Sequence, residues 1–263
     1  MAGFTAKDVQ ALRKATGAGM LDAKKALEET DGDTEKAATW LREQGLAGAA
    51  KRSDRDASEG AVSVVRDGNA AAIVLLRSET DFVAKAAEFV SIVDELAARV
   101  ATDGVDAVET LSSEIDTMRT TLKENISVGE VVRLEATEGQ VIDTYLHQQA
   151  GRGVNAVAVV LSGGDQELAH DIAVHIAFAK PQVISRDEVP VAEVEAERAT
   201  IESISRNEGK PDAALPKIVE GRMNGWFKER VLLEQPYARD EKQTISQLLN
   251  GAEIVAYAQV LVG

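Results

Sequence analysis

Hydrophobic positions along this chain change their spacing several times, and each change marks an element. In residues 1 to 52 they recur at helical spacing in three short stretches. Thr5 with Asp8 reads as a capping box ahead of Val9 and Leu12, and Thr16-Gly17-Ala18-Gly19 stops that helix. Met20, Ala23 and Leu27 line a second helix. Asp33 caps a third, whose buried stripe is Ala37, Trp40 and Leu41. Residues 48 to 60 are small and charged, the composition of a linker. Ala61 to Arg66 and Ala70 to Arg77 then read as strands joined across Asp67-Gly68-Asn69. Val83, Ala86, Val90, Val93, Ala97 and Val100 predict a helix to about Thr102, and Val108, Leu111, Ile115, Met118 and Leu122 predict another over Val105 to Glu124.

From Gly129 the period returns to that of strands: Glu130 to Ala136, Val141 to His147 and Val154 to Leu161, followed by a helix from Glu167 to Phe178. A forward shift of 86 positions lays Arg66 on Arg152, Asn69 on Asn155, Ala70 on Ala156, Ala72 on Ala158 and Leu75 on Leu161. This predicts two related sheet-and-helix halves, with Asp81 matched to Glu167 and Phe82 to Leu168. Lys180-Pro181 ends the second half. Val191, Val194, Ile201 and Ile204 line one further helix, and Leu215, Ile218, Val219, Met223, Trp226 and Phe227 its return; Trp226 and Phe227 either pin the base of the pair or face a partner. A short helix, Thr244 to Leu249, and a strand, Glu253 to Val262, rejoin the second half. The fold class predicted is α+β, with an N-terminal helical domain at 1–52, a linker at 53–60 and a first core part at 61–128. The second core part takes 129–181 and 236–263, and an antiparallel, coiled-coil-like helical hairpin is inserted at 182–235. A three-helix bundle with a Gly-x-Gly turn after its first helix resembles the ubiquitin-associated (UBA-like) module.

Thr80-Asp81-Phe82-Val83 sits where a strand gives way to a helix, with Thr80 or Asp81 as the cap. Spacing leaves two readings open. In one, Asp81 accepts first-turn amides and Phe82 packs on its own helix; in the other, a carboxylate and an aromatic face outward toward a partner.

Composition narrows the choice of partner. Aromatics are only 4% of 263 residues, so the cores are built of small aliphatic side chains and each Phe or Trp stands out. A net charge of −15 opposes direct nucleic-acid binding, which needs clustered Lys and Arg to displace counterions. The absence of cysteine excludes disulfides and thiolate metal sites. Apolar runs are strand-length and Met1 to Gln10 is polar, so neither a membrane span nor a signal peptide is expected, and the cytoplasm is the default compartment. His170 and His175 lie about 140° apart on a helix and do not converge on one metal. Glu167-x-x-His170 occurs once, whereas carboxylate-bridged metal sites need two such motifs. Gly17-Ala18-Gly19 lacks the preceding strand of a nucleotide fingerprint. With no nucleophile, base or metal constellation, an enzyme is the least favoured class.

Thr16-Gly17-Ala18-Gly19-Met20 with Asp22, Lys24, Lys25, Ala26 and Leu27, then Thr80-Asp81-Phe82-Val83-Ala84-Lys85, Lys180-Pro181 and Val219-Glu220-Gly221-Arg222-Met223, together resemble the bacterial elongation factor Ts family. The resemblance implies a guanine-nucleotide exchange factor, not an enzyme, whose partner is the GTPase elongation factor Tu. It implies no cofactor of this chain's own, since magnesium and GDP or GTP belong to the GTPase, and neither direct nucleic acid nor membrane as partner. It assigns Thr80, Asp81, Phe82 and Val83 to a wedge that dislocates the magnesium site, Gly17, Ala18, Gly19 and Met20 to docking by the N-terminal domain, and His147 to docking by the second core part. The rival reading is a UBA-type adaptor for ubiquitin-like or nascent chains.

Overall fold

The computed structural model describes residues 3–50 and 52–263; residues 1, 2 and 51, part of the expected N-terminal domain, lie outside the described residues. Three helices come first, α1 (Ala6–Thr16), α2 (Met20–Glu29) and α3 (Thr34–Ala50). They close on Val9, Leu12, Ala23, Ala26, Leu27 and Leu41. The Thr5–Asp8 capping box opens α1, and Gly17, at φ +68°, ends it with its N–H on the Arg13 carbonyl. That left-handed position is one a side chain resists. Asp33 Oδ1 accepts from the amides of Glu35 and Lys36 and so caps α3.

The core follows as β1 (Glu59–Asp67), β2 (Ala70–Ser78), α4 (Asp81–Ala84), α5 (Ala87–Asp103), α6 (Ser112–Leu122), β3 (Ser127–Glu135), β4 (Gln140–Gln149), β5 (Arg152–Ser162) and α7 (Gln166–Ala179). The hairpin helices are α8 (Val191–Asn207) and α9 (Leu215–Arg230). The chain ends in β6 (Pro236–Tyr237), β7 (Asp240–Thr244), α10 (Ile245–Leu249) and β8 (Glu253–Leu261). Two antiparallel sheets, ordered β1-β2-β3 and β4-β5-β8, lie face to face. Alternation along β2 sends Ala72, Val74 and Leu76 toward α5 and α6, and Ala71, Ile73 and Leu75 toward the other sheet. Along β5, Val157, Val159 and Leu161 face α7 while Ala156, Ala158 and Val160 face β2. Both central strands are thus buried on both faces, which is why they read as unbroken apolar runs. Small side chains let the sheets approach closely. A Cβ on Gly153 would lie 2.0 Å from the Val62 carbonyl oxygen, so only glycine fits where β5 crosses β1.

Several expectations are corrected. The strand near residue 130, expected in the second core part, joins the first sheet, pairing with β2 from Ala70↔Glu135 to Arg77↔Ser127. The turn after α6, with Lys123 at φ +58°, delivers the chain straight to the free edge of β2. The expected helix from Val83 to Thr102 breaks after one turn: Ala86 is extended, and α5 starts anew. In an unbroken helix Ala84 and Phe89 would lie about 140° apart; the break lets both reach the core, where each is fully buried. The helix expected from Val105 begins as a 3₁₀ segment, Val105–Leu111. On α8, Ile201 and Ser205 are buried, whereas Val191 and Ile204 are exposed. Trp226 and Phe227 are buried together, rings 5.0 Å apart, with Val183, Val189 and Val231 at the base of the hairpin.

The 86-residue repeat is off by one. Thr80 and Asp165 are the two helix caps, a shift of 85, and at that shift Ala72, Val74 and Leu76 fall on Val157, Val159 and Leu161, helix-facing residue on helix-facing residue. A one-residue slip in a strand turns every side chain to the opposite face. The identities at 86 therefore matched residues pointing in opposite directions.

Candidate functional site

The residues from Ser78 to Lys85 turn the end of β2 into α4. Thr80 is the N-cap: its Oγ1 accepts from the Val83 amide at 3.4 Å, and its carbonyl accepts from the Ala84 amide. Val83 packs against the first core and Ala84 is fully buried in it. One turn anchored on that side leaves the second helical position pointing away, and Phe82 is 84% exposed. Phe82 therefore does not pack on its own helix. Burying such a ring is worth roughly 2 kcal/mol, so leaving it in water forgoes stability unless something else covers it.

The backbone beneath Phe82 is held from the chain exit of α6. Glu124 Oε2 accepts from the amides of Glu79 and Thr80 at 3.2 and 3.1 Å, and Glu124 Oε1 accepts from the Thr80 hydroxyl at 2.5 Å. Glu79 returns the grip, its Oε1 accepting from the Asn125 amide at 2.6 Å. Asp81 lies beside Phe82 and accepts from Lys85 Nζ at 2.5 Å. That hydrogen bond holds its carboxyl below the usual range, with the positive charges of Lys85 and Arg152 adding to the effect. Asp81 is thus a fixed anion next to an uncovered ring. Arg152, from the start of β5, is buried, donating to the Gly60 carbonyl and to Glu59 Oε2, and so ties the second sheet to the start of β1, which pairs with Ser78 at the end of β2.

The remaining predicted site residues lie elsewhere. Gly17 and Gly19 flank the α1–α2 turn, Ala18 packs into the bundle, and Met20 opens α2 at 49% exposure. Leu21, unremarked in the sequence, is 81% exposed beside it; an apolar residue off the stripe set by Ala23 and Leu27 was the signal. His147 is exposed on β4, opposite Asn155 and next to a bulge. His170 and His175 meet different partners: His170 Nδ1 lies 2.9 Å from Asp143 Oδ2, while His175 is buried against Gln235 and the Ala238 amide. Burial pushes the imidazole pKa of His175 down. Phe178 is exposed too, at the end of α7, so exposure alone does not single out Phe82. Phe82 differs in standing next to the held carboxylate of Asp81 on a one-turn helix start, whereas Phe178 closes a long helix.

This corner lies inside a recognisable sequence family. The family model described as Elongation factor TS matches residues 79–263, beginning one residue before Thr80. The chain belongs to the elongation factor Ts family. Its relatives include Elongation factor Ts of Clavibacter michiganensis subsp. michiganensis, 44% identical over all of both chains. The protein of that name from Kineococcus radiotolerans is 44% identical over 97% of this chain and 96% of its own, and that of Renibacterium salmoninarum 43% identical over all of both. The chain is thereby a translation elongation factor, and its α+β architecture is compatible with the family. The bundle lies outside the family match, so its relation to the rest rests on the full-length relatives. Among the described residues no helix is long and apolar enough to cross a membrane, and no group of three or more His, Asp or Glu is arranged to hold a metal.

Proposed function

We propose that this elongation factor Ts family member is a cytoplasmic guanine-nucleotide exchange factor for elongation factor Tu, and that the Thr80–Val83 corner is the part that acts. The observation that carries the reading is Phe82, 84% exposed on a backbone fixed by Glu124. A wedge must hold its shape against the surface it displaces, and an aromatic on a pinned helix start, backed by a buried core, does so. Asp81 supplies a second, polar means of competing for groups near the GTPase's magnesium. The chain performs no covalent chemistry and carries no cofactor; magnesium and nucleotide are the partner's. The UBA-like domain at 1–52, through Gly17 to Met20, and the second core part, through His147, supply docking. The coiled-coil-like hairpin at 182–235 and the linker expected at 53–60, whose last two residues already belong to β1, complete this organisation. An adaptor built on the N-terminal helices alone leaves the corner without a role.

Exchange factor and nucleotide then weaken each other's binding by one common factor, as linkage requires. The test is release of fluorescent GDP from elongation factor Tu on adding the full chain. Acceleration that saturates with concentration, and an affinity of the two proteins that falls as magnesium rises at fixed GDP, is the expected result. Release at the spontaneous rate overturns the reading, and an affinity flat across magnesium concentrations removes the metal-site part of it.

A further inference from the structure

Glu124 belongs to no part of the corner by sequence, yet its carboxylate makes three of the hydrogen bonds that define it. Lys123, left-handed at φ +58°, ends α6 and turns the next side chain away from its own helix toward the end of β2. Ile126, fully buried, anchors the segment, and Arg119 Nε donates to its carbonyl at 2.5 Å. Asn125 Nδ2 donates to the carbonyls of Ser53 and Arg55, so the residues after the bundle are fastened to the same few positions. Lys123 Nζ reaches Asp22 Oδ2 on α2 at 3.0 Å. Residues 123–126 thus touch the bundle, the connecting segment and the corner at once.

Within the corner, Glu124 also sets a hydroxyl's direction. The Thr80 proton goes to Glu124 Oε1, which turns an Oγ1 lone pair toward the Val83 amide. Two backbone amides, Glu79 and Thr80, point at the other carboxylate oxygen. These groups precede Phe82 by two or three positions, where a small change of backbone direction swings an exposed ring through several ångströms. We propose that Glu124 is the positioning residue of the Phe82 wedge, acting through Thr80 without touching the partner itself. The inference rests on the reading of Phe82 as the acting residue.

The test uses the full chain with Glu124→Ala, Glu124→Gln, Thr80→Val and Phe82→Ala, and two readouts. Amide hydrogen exchange reports the corner directly: Glu124→Ala speeds exchange at Glu79 and Thr80 about tenfold or more, as loss of a charged acceptor implies, while Val74 within β2 is unchanged. GDP release from elongation factor Tu reports function. Its saturating rate falls about tenfold, while the concentration giving half-maximal release moves by less than about threefold. Glu124→Gln keeps one acceptor oxygen and restores most of both. In a Phe82→Ala background, Glu124→Ala slows release much less than it does alone, the remainder being its effect through Asp81, a coupling that general destabilisation would not produce. Thr80→Val removes only the hydroxyl link and moves both readouts the same way by less, which keeps the test open if Glu124→Ala does not fold. Amides at Glu79 and Thr80 that stay protected overturn the inference, as does a wild-type release rate with those amides loosened and Phe82→Ala slow. Failure of the wedge reading has its own signature: Phe82→Ala itself releases GDP at full rate, and this inference falls with it.

Discussion

At the end of β2, Thr80 opens a helix, Val83 and Ala84 turn inward, and Phe82 stands in solvent. At the end of β5, Asp165 opens a helix, Leu168 and Ala169 turn inward, and Glu167 stands in solvent. The two corners share a cap, an inward pair and an outward second position; they differ in what the outward position carries and in how the corner is held. Asp165 caps the Leu168 amide at 2.9 Å, α7 then runs unbroken for 14 residues, and Gln166 Nε2 donates to the Ile142 carbonyl at 3.1 Å, so a long helix and one tie to β4 keep that corner in place. The first corner is a single turn of four residues, and it is fastened from outside by Glu124. The comparison teaches that an aromatic at the second position is not demanded by the architecture, since the sister corner does without one.

The comparison is sharpened first by the inward pair. Leu168→Ala and Val83→Ala should each lower stability by about 1–2 kcal/mol, because each packs partly into a core, as denaturant unfolding would measure. Equal losses support the shared geometry; a neutral Val83→Ala breaks it. The caps come next. Asp165→Ala should cost about 1 kcal/mol of global stability. Thr80→Ala, capping only one turn, should instead show mainly as faster amide exchange at Val83 and neighbouring positions. Smaller still, Phe82→Ala and Glu167→Ala should each change stability by less than about 0.5 kcal/mol, as exposed positions do. A large loss for Phe82→Ala would mean the ring is packed after all.

The smallest effect is electrostatic. Asp81 has a depressed pKa in the folded chain, so any stability from its pair with Lys85 is present above the unfolded carboxylate value of 3.8 and lost as pH falls through the lower folded one. An NMR titration of the Asp81 carboxyl should therefore have its midpoint below 3.8, moving up in Lys85→Ala. A midpoint at or above 3.8 contradicts the hydrogen bond that Lys85 is said to make.

Much of the fold was legible because its signals are periodic. The apolar runs of β2 and β5, the capping box at Thr5, the Asp33 cap and the buried pair at Trp226 and Phe227 all follow from spacing and cap chemistry. What escaped depends on contacts distant in sequence. No Pro or Gly marks the break at Lys85 and Ala86, which exists because Ala84 and Phe89 must reach one core. The partner of β3 is chosen by where α6 ends, and a repeat scored by residue identity missed the face each strand residue takes. At the site, Thr80 and Asp81 were readable as cap candidates and Phe82 stood out as a rare aromatic. Its exposure was one of two open readings. The grip of Glu124, 44 residues from Thr80, and the charge of Arg152 beside Asp81 left no local pattern to find.

The central claim is that Phe82 acts by shape on the partner and does little for this chain's own fold. Saturation curves of GDP release from elongation factor Tu, for the natural chain and Phe82→Ala, test it most directly. The account predicts a saturating rate lower by about 2 kcal/mol, roughly thirtyfold, with half-saturation moved far less, since docking rests on other surfaces. A Phe82→Ala chain that releases GDP at the natural rate, with its fold intact by circular dichroism, would contradict it.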